Sequence, residues 1–169
     1  MSKLFDLSGK NCLITGGAGL LGRYHAEAIL DAGGNVFLAD IKKTAVLQVA
    51  SELREEYSTD NVTGVHMDVT DFLSIETALS NISIIDILIN NAAKDPKVKS
   101  SGLGESANVF RFEEMALETW KEGLDVSLNG TFLVTQAVIK KMIKDNVHGV
   151  VLNVASDLSV IAPDQRIYQ

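Results

Sequence analysis

Between residues 11 and 154 short apolar runs alternate with longer stretches of helical period, and this alternation restricts the fold more than any other feature. A run such as 36–39 (VFLA) has no polar face to turn to water, so it needs cover on both sides, and intervening helices supply that cover in a parallel sheet. The pattern predicts strands at 11–15, 36–39, 62–67, 84–89 and 149–154. It predicts helices at 20–32, stopped by Gly33-Gly34, at 43–57, at 73–80 with Thr70 or Asp71 as cap, and a long one at 113–144, entered through a bend. Residues 94–112 break the rhythm with Gly, Ser and Pro and read as a functional loop. No linker or repeat interrupts the series, and 169 residues suit one domain with one sizeable core. The fold class expected from the alternation is α/β, with βαβ units around a parallel sheet.

A net charge of −7 and the lack of a Lys/Arg stripe exclude nucleic acid and anionic membrane as the main partner, since both demand a basic face; a small molecule is expected instead. The first ten residues hold no apolar signal core, and no apolar run is long enough for a bilayer, so a cytoplasmic protein is expected. Cys12 is the single cysteine and reads as a buried, inert thiol in a strand. His25, His66 and His148 are scattered without metal-ligand spacing, so no metal is expected.

The sharpest motif is Thr15-Gly16-Gly17-Ala18-Gly19-Leu20-Leu21-Gly22, a G-x-G-x-x-G (Gly17, Gly19, Gly22) set between a strand and a helix. Glycines there let the backbone turn tightly and approach a pyrophosphate, whose charge meets the free N–H groups and positive end of the helix. Outside that setting the same glycines are only a turn. Asp40 ends the second strand about 20 residues later, where a carboxylate accepts hydrogen bonds from ribose hydroxyls and repels a 2′-phosphate. Lys42 and Lys43 follow, but the loop itself carries no Arg or Lys, which favours NAD over NADP. The alternative for Asp40 is an N-cap of the following helix.

With TGGAGLLG at 15–22, Asp68-Val69, Asn90-Asn91-Ala92-Ala93 and GVVLNVAS at 149–156 in this order, the chain resembles the short-chain dehydrogenase/reductase family over nearly its whole length. The resemblance implies a doubly wound α/β sheet of Rossmann type, strand order 3-2-1-4-5. It implies too that Asp68 and Val69 flank the adenine, and that Asn90 and Ala92 line the floor beside the nicotinamide ribose and steady the sheet. The cofactor-binding set is then Gly16, Gly19, Leu20, Leu21, Gly22, Asp40, Ile41, Asp68, Val69, Asn90 and Ala92. Leu20 stands where the family's short branch often has glycine, and the TGxxGxxG spacing is similar to the nucleotide-sugar-modifying branch. Asn-Asn-Ala-Ala with Asp-Pro-Lys after it, and Ala-Pro-Asp-Gln-Arg-Ile-Tyr at 162–168, resemble members from bacterial surface-polysaccharide and flagellin-sugar pathways.

The resemblance also implies the chemistry: a Tyr as general acid/base, a Lys that lowers its pKa, and a Ser on the same substrate oxygen. A phenol with a pKa near 10 needs such a cation to work at neutral pH. Ser156 falls on the serine position, with a turn serine as the alternative. Tyr168 is the only Tyr after it, one residue short of the family's place, and the sequence ends at Gln169 before the Lys, so a C-terminally truncated domain is expected. The helical Asn of the family's proton relay falls on Ser127; Asn129, about 200° further round an α-helix, is no simple replacement. Trp120 and Leu124 suit core or dimer packing. Lys94, Lys97 and Lys99 at the crevice mouth are either solvated or receptors for a phosphorylated substrate.

The expected function is hydride transfer between nicotinamide and a secondary alcohol or ketone, on a sugar or nucleotide sugar. Alternatives are a non-catalytic dinucleotide-binding or regulatory domain, and a nucleotide-sugar epimerase or dehydratase with tightly bound NAD. An unpaired fifth strand and a long helix without its family partner imply a homo-oligomer.

Overall fold

The structure is a computed structural model, and it describes residues 5–94, 113 and 115–156. In chain order the elements are β1 (Asn11–Thr15), α1 (Leu20–Asp31), β2 (Asn35–Asp40), α2 (Lys43–Tyr57), β3 (Val62–His66), α3 (Phe72–Ser80) and β4 (Ile87–Asn90). There follow α4 (Leu117–Leu124), a π-helical segment (Asp125–Gly130), α5 (Thr131–Lys144) and β5 (Val150–Asn153). All strand pairs are parallel, as the alternation predicts, and the order is β3-β2-β1-β4-β5, as the family resemblance implies.

Because successive side chains of a strand point to opposite faces, each strand feeds two cores. Cys12, Ile14, Val36, Leu38 and Ile89 join Ala26 of α1 and Val46, Ala50 and Leu53 of α2 on one face. Leu13, Ala39 and Leu88 join Ile75 and Ala78 of α3 and Val134, Val138 and Met142 of α5 on the other. The near-continuous apolarity of the strands is thus explained by helices on both faces. α1 and α2 are further tied by the Arg23 guanidinium, which donates to Glu27 (3.0 Å), Glu52 (2.7 Å) and Glu56 (2.8 Å).

The fourth strand and the long helix differ from the sequence reading, while the α3 cap is one of the two expected. The fourth strand was expected at 84–89 but pairs only from Ile87, opposite Cys12. Ile82 and Ile85 are buried in the α3-side core from the connection before it, so their apolarity reflects packing and not ladder pairing. α3 is capped by Asp71, which accepts the Leu73 N–H at 3.0 Å, while Thr70 donates back to Asp68. The expected long helix is divided by the π segment. Gly130 ends that segment against Val69, where an added Cβ would lie 2.7 Å from Val69 Cγ2, so the helix approaches the β3–α3 turn as closely as a glycine allows. Trp120 and Leu124, expected to pack, stand 51% and 37% exposed on α4, which buries no residue. Val150 and Leu152 of β5 are exposed too.

Candidate functional site

In an open parallel sheet the crevice for ligands lies beyond the carboxyl ends of the strands where the order reverses, here between β1 and β4. β1 ends at Thr15, and Gly16 follows with φ +66°, a left-handed conformation that glycine adopts without strain. A Cβ on Gly16 would meet Ala92 Cα and Asn91 Nδ2 at 3.0 Å each, and one on Gly22 would collide with the Gly16 carbonyl oxygen. The Gly17 N–H donates to Ala39 O at 2.9 Å and the Gly19 N–H to Gly16 O at 3.1 Å, which closes the loop on itself and on β2. Gly19 is the N-cap of α1 and offers no side-chain oxygen, so the helix presents its first-turn N–H groups and partial positive charge without a built-in acceptor. Leu20, Leu21 and Ile41 stand mostly exposed at the rim.

Asp40 reaches into this loop. Its Oδ2 accepts the Ala18 N–H at 3.1 Å and its Oδ1 the Lys42 N–H at 2.9 Å. Lys42, not Asp40, occupies the N-cap position of α2. Each carboxylate oxygen keeps a second lone pair, so the two backbone bonds leave room for ligand hydroxyls.

The Asn90-Asn91 pair divides its labour. Asn90, 5% exposed, donates from Nδ2 to Thr135 Oγ1 and Asn153 Oδ1, both at 2.8 Å, and so ties β4 to α5 and β5. Its Oδ1 is buried without a partner among the described residues. Asn91 donates from Nδ2 to the carbonyls of Thr15 (2.9 Å) and Gly16 (3.2 Å). Thr15 Oγ1 accepts the N–H groups of Asn91 and Ala92, both at 3.0 Å. Thr15 and Asn91 lie inside the motifs read from sequence, but the sequence reading gave neither a site role. Their signal is a buried threonine, 2% exposed, ending one strand and an amide just past the end of its neighbour.

Asp68 and Val69 lie at the turn after β3. Asp68 Oδ1 accepts the N–H (2.9 Å) and hydroxyl (2.7 Å) of Thr70, and Val69 backs onto Gly130. Ser127, in the π segment, accepts the Lys94 N–H on Oγ at 3.3 Å. Lys94 Nζ is engaged by Glu122 at 2.6 Å, which takes the charge that the sequence had offered to a phosphate. Asn129 turns away from Ser127 to Asp125, donating at 2.8 Å, and both line a cavity of about 450 Å³ with Thr70, Lys94, Glu122, Val126 and Leu133. Ser156 is exposed just past the end of β5, on the crevice side of the sheet. Tyr168, Lys97 and Lys99 lie outside the described residues. Among the described residues, no helix is long and apolar enough to cross a membrane.

Comparison with known families matches residues 10–168 to the one described as short chain dehydrogenase. The chain belongs to the short-chain dehydrogenase family. It is 33% identical over 160 residues to a short chain dehydrogenase/reductase, dpfgG, of Gibberella zeae, covering 92% of this chain and 54% of that protein. A 3-oxoacyl-[acyl-carrier protein] reductase from Brucella melitensis with bound NAD superposes at a TM-score of 0.81 with 25% identity, over 94% of this chain and 58% of the other. A gluconate 5-dehydrogenase from Burkholderia cenocepacia, in complex with NADP and tartrate, does so at 0.79 with 26% identity, over 94% and 58%. The chain thus spans little more than half the length of these short-chain dehydrogenases. The relatives of like sequence and fold are oxidoreductases, and both dinucleotides occur among them.

The residues present fit a dinucleotide. A Cβ at Gly16, Gly17 or Gly22 would strike Ala92, Leu38 or the Gly16 carbonyl, so glycine lets the loop fold tightly before an uncapped helix N-terminus whose free N–H groups suit a pyrophosphate.

Proposed function

We propose that residues 1–169 form the cofactor-binding domain of an NAD-dependent dehydrogenase acting on a secondary alcohol or its ketone. The observation that carries this reading is the glycine cradle before the uncapped α1, held to Asp40 through the Ala18 N–H. The α1 N-terminus, with Leu20, Leu21 and Gly22, receives the pyrophosphate. Asp40 accepts the adenosine ribose hydroxyls and disfavours a 2′-phosphate, with Ile41, Asp68 and Val69 around the adenine. Asn90 and Ala92 floor the nicotinamide ribose. Bound nicotinamide supplies the hydride acceptor or donor.

Ser156 hydrogen-bonds the substrate oxygen, Tyr168 exchanges its proton, and Ser127 occupies the position of the relay residue. A sugar or related polyol as substrate is supported by the gluconate 5-dehydrogenase likeness. The TGxxGxxG spacing favours, as a second reading, an epimerase or dehydratase that retains its NAD. The exposed apolar side chains of α4, α5 and β5 support a homo-oligomer.

Calorimetric titration of the protein with NAD and NADP tests this reading. NAD is expected to bind more tightly, and Asp40→Asn to narrow the difference. A folded protein that binds neither dinucleotide overturns it.

A further inference from the structure

We propose that Arg23 is a positioning residue for the charged part of the cofactor: as the cation of an acidic seam between α1 and α2, it offsets the seam's negative field where α1 receives the pyrophosphate. This role rests on the dinucleotide reading above. Arg23 is the fourth residue of α1, and its N–H donates to the carbonyl of the N-cap, Gly19, at 3.2 Å. At a rise of about 1.5 Å per residue, its Cα lies about 5 Å along the axis from the start of the helix. It therefore belongs to the turn whose free N–H groups face the ligand.

The seam is rich in carboxylates and poor in cations. All three guanidinium nitrogens are engaged: Nε by Glu27 of α1 at 3.0 Å, Nη1 by Glu52 of α2 at 2.7 Å and Nη2 by Glu56 of α2 at 2.8 Å. One positive charge thus faces three negative ones, and among the described residues no other cation pairs with them. Gln48 donates to Glu52 Oε1 at 3.0 Å but brings no charge. The field reaches past the ion pairs: burial first, then Asp31 together with Glu27 and Glu56, raise the pKa of Tyr57 at the end of α2. The Arg23 side chain is 29% exposed and those of Glu52 and Glu56 about half, so water and salt screen the group in part. Across a separation near the Debye length, about 10 Å at 0.1 M salt, loss of one cation beside a doubly charged pyrophosphate changes affinity by a few-fold. Without Arg23 the three carboxylates stand uncompensated behind the turn that must hold an anion.

Calorimetric titration with NAD at about 0.02 M and about 0.5 M salt, on wild type and charge variants, tests this. At low salt Arg23→Gln is expected to weaken NAD about two- to fivefold, and Arg23→Lys, which keeps the charge, to stay within about twofold of wild type. The triple variant Arg23→Gln/Glu52→Gln/Glu56→Gln restores none of the lost ion pairs but removes two carboxylates, and it is expected to bind NAD at least as tightly as wild type. Glu52→Gln/Glu56→Gln, with the Arg23–Glu27 pair intact, is expected to tighten NAD at low salt, which decides the matter even where Arg23→Gln fails to fold. All these differences are expected to fade at high salt. A loss in Arg23→Gln that persists at high salt, or that the two glutamate substitutions leave unrepaired, marks a mere brace between helices and overturns the electrostatic role. So does a Glu52→Gln/Glu56→Gln protein that binds NAD no more tightly than wild type. Wild-type protein that binds NAD at neither salt overturns the dinucleotide reading itself.

Discussion

Asp40 Oδ2 accepts the Ala18 N–H at 3.1 Å, so the residue that selects the ribose also holds the loop that receives the pyrophosphate. Removing the carboxylate therefore does two things at once. Asp40→Ala is expected to weaken NAD and to destabilise the fold by about 1 kcal/mol through the orphaned N–H, with little gain for NADP. Asp40→Asn keeps one acceptor oxygen for the two N–H groups of Ala18 and Lys42 and sets its NH2 against the other, so NADP is expected to gain while part of the stability loss remains. Paired calorimetry and chemical denaturation check this; an Asp40→Ala protein as stable as wild type removes the coupling.

Asn91 bridges the two central loops by donating to two carbonyls on Thr15 and Gly16. Asn91→Ala is expected to cost about 1–3 kcal/mol of stability, since buried carbonyls lose their donors. Asn91→Asp is expected to cost more, because a carboxylate places acceptors against acceptors. Urea denaturation gives the order; Asp more stable than Ala at neutral pH contradicts it.

Two glycines give a matched control for the cradle. A Cβ at Gly22 meets the Gly16 carbonyl oxygen, whereas one at Gly123 in α4 meets nothing within 4 Å. Gly22→Ala is expected to abolish measurable NAD binding. Gly123→Ala is expected to leave binding intact and to raise stability by about 0.5–1 kcal/mol through helix propensity. Thermal melts with and without NAD separate the two.

Burial tends to raise the Asp86 pKa, but the Asn11 N–H and the Lys10 ammonium, each 3.0 Å away, outweigh it and hold the carboxyl below its ordinary value. A lowered folded pKa means that its stabilising contribution is present in full above the unfolded value of about 3.9 and disappears as pH falls through the folded value. The stability difference between wild type and Asp86→Asn is thus expected to be constant near neutrality and to shrink below about pH 4. Denaturation midpoints across that range measure it, and a gap that widens in acid reverses the sign.

Cys12 is fully buried, and burial pushes its thiol pKa up to about 12. A thiol reagent at neutral pH is expected to modify it only as fast as the protein opens, with full reactivity in denaturant. Rapid labelling of the native protein excludes the packing described.

The sequence by itself determined whatever is local. The change of period from strand to helix marked β1 and α2, and glycines followed by a free helix start marked the cradle, because period and backbone freedom are properties of a few adjacent residues. Only the tertiary structure decided which polar groups meet. Thr15 and Asn91 lie 76 residues apart and touch because parallel pairing of β1 with β4 brings their ends together. Lys94 finds Glu122 and Ser127 only because the helix runs past the end of β4. The β4 boundary and the π segment were hidden for the same reason: buried isoleucines look alike whether they pair in a ladder or pack beside it, and the π segment ends at Gly130 against Val69, a neighbour distant in sequence that no local period records.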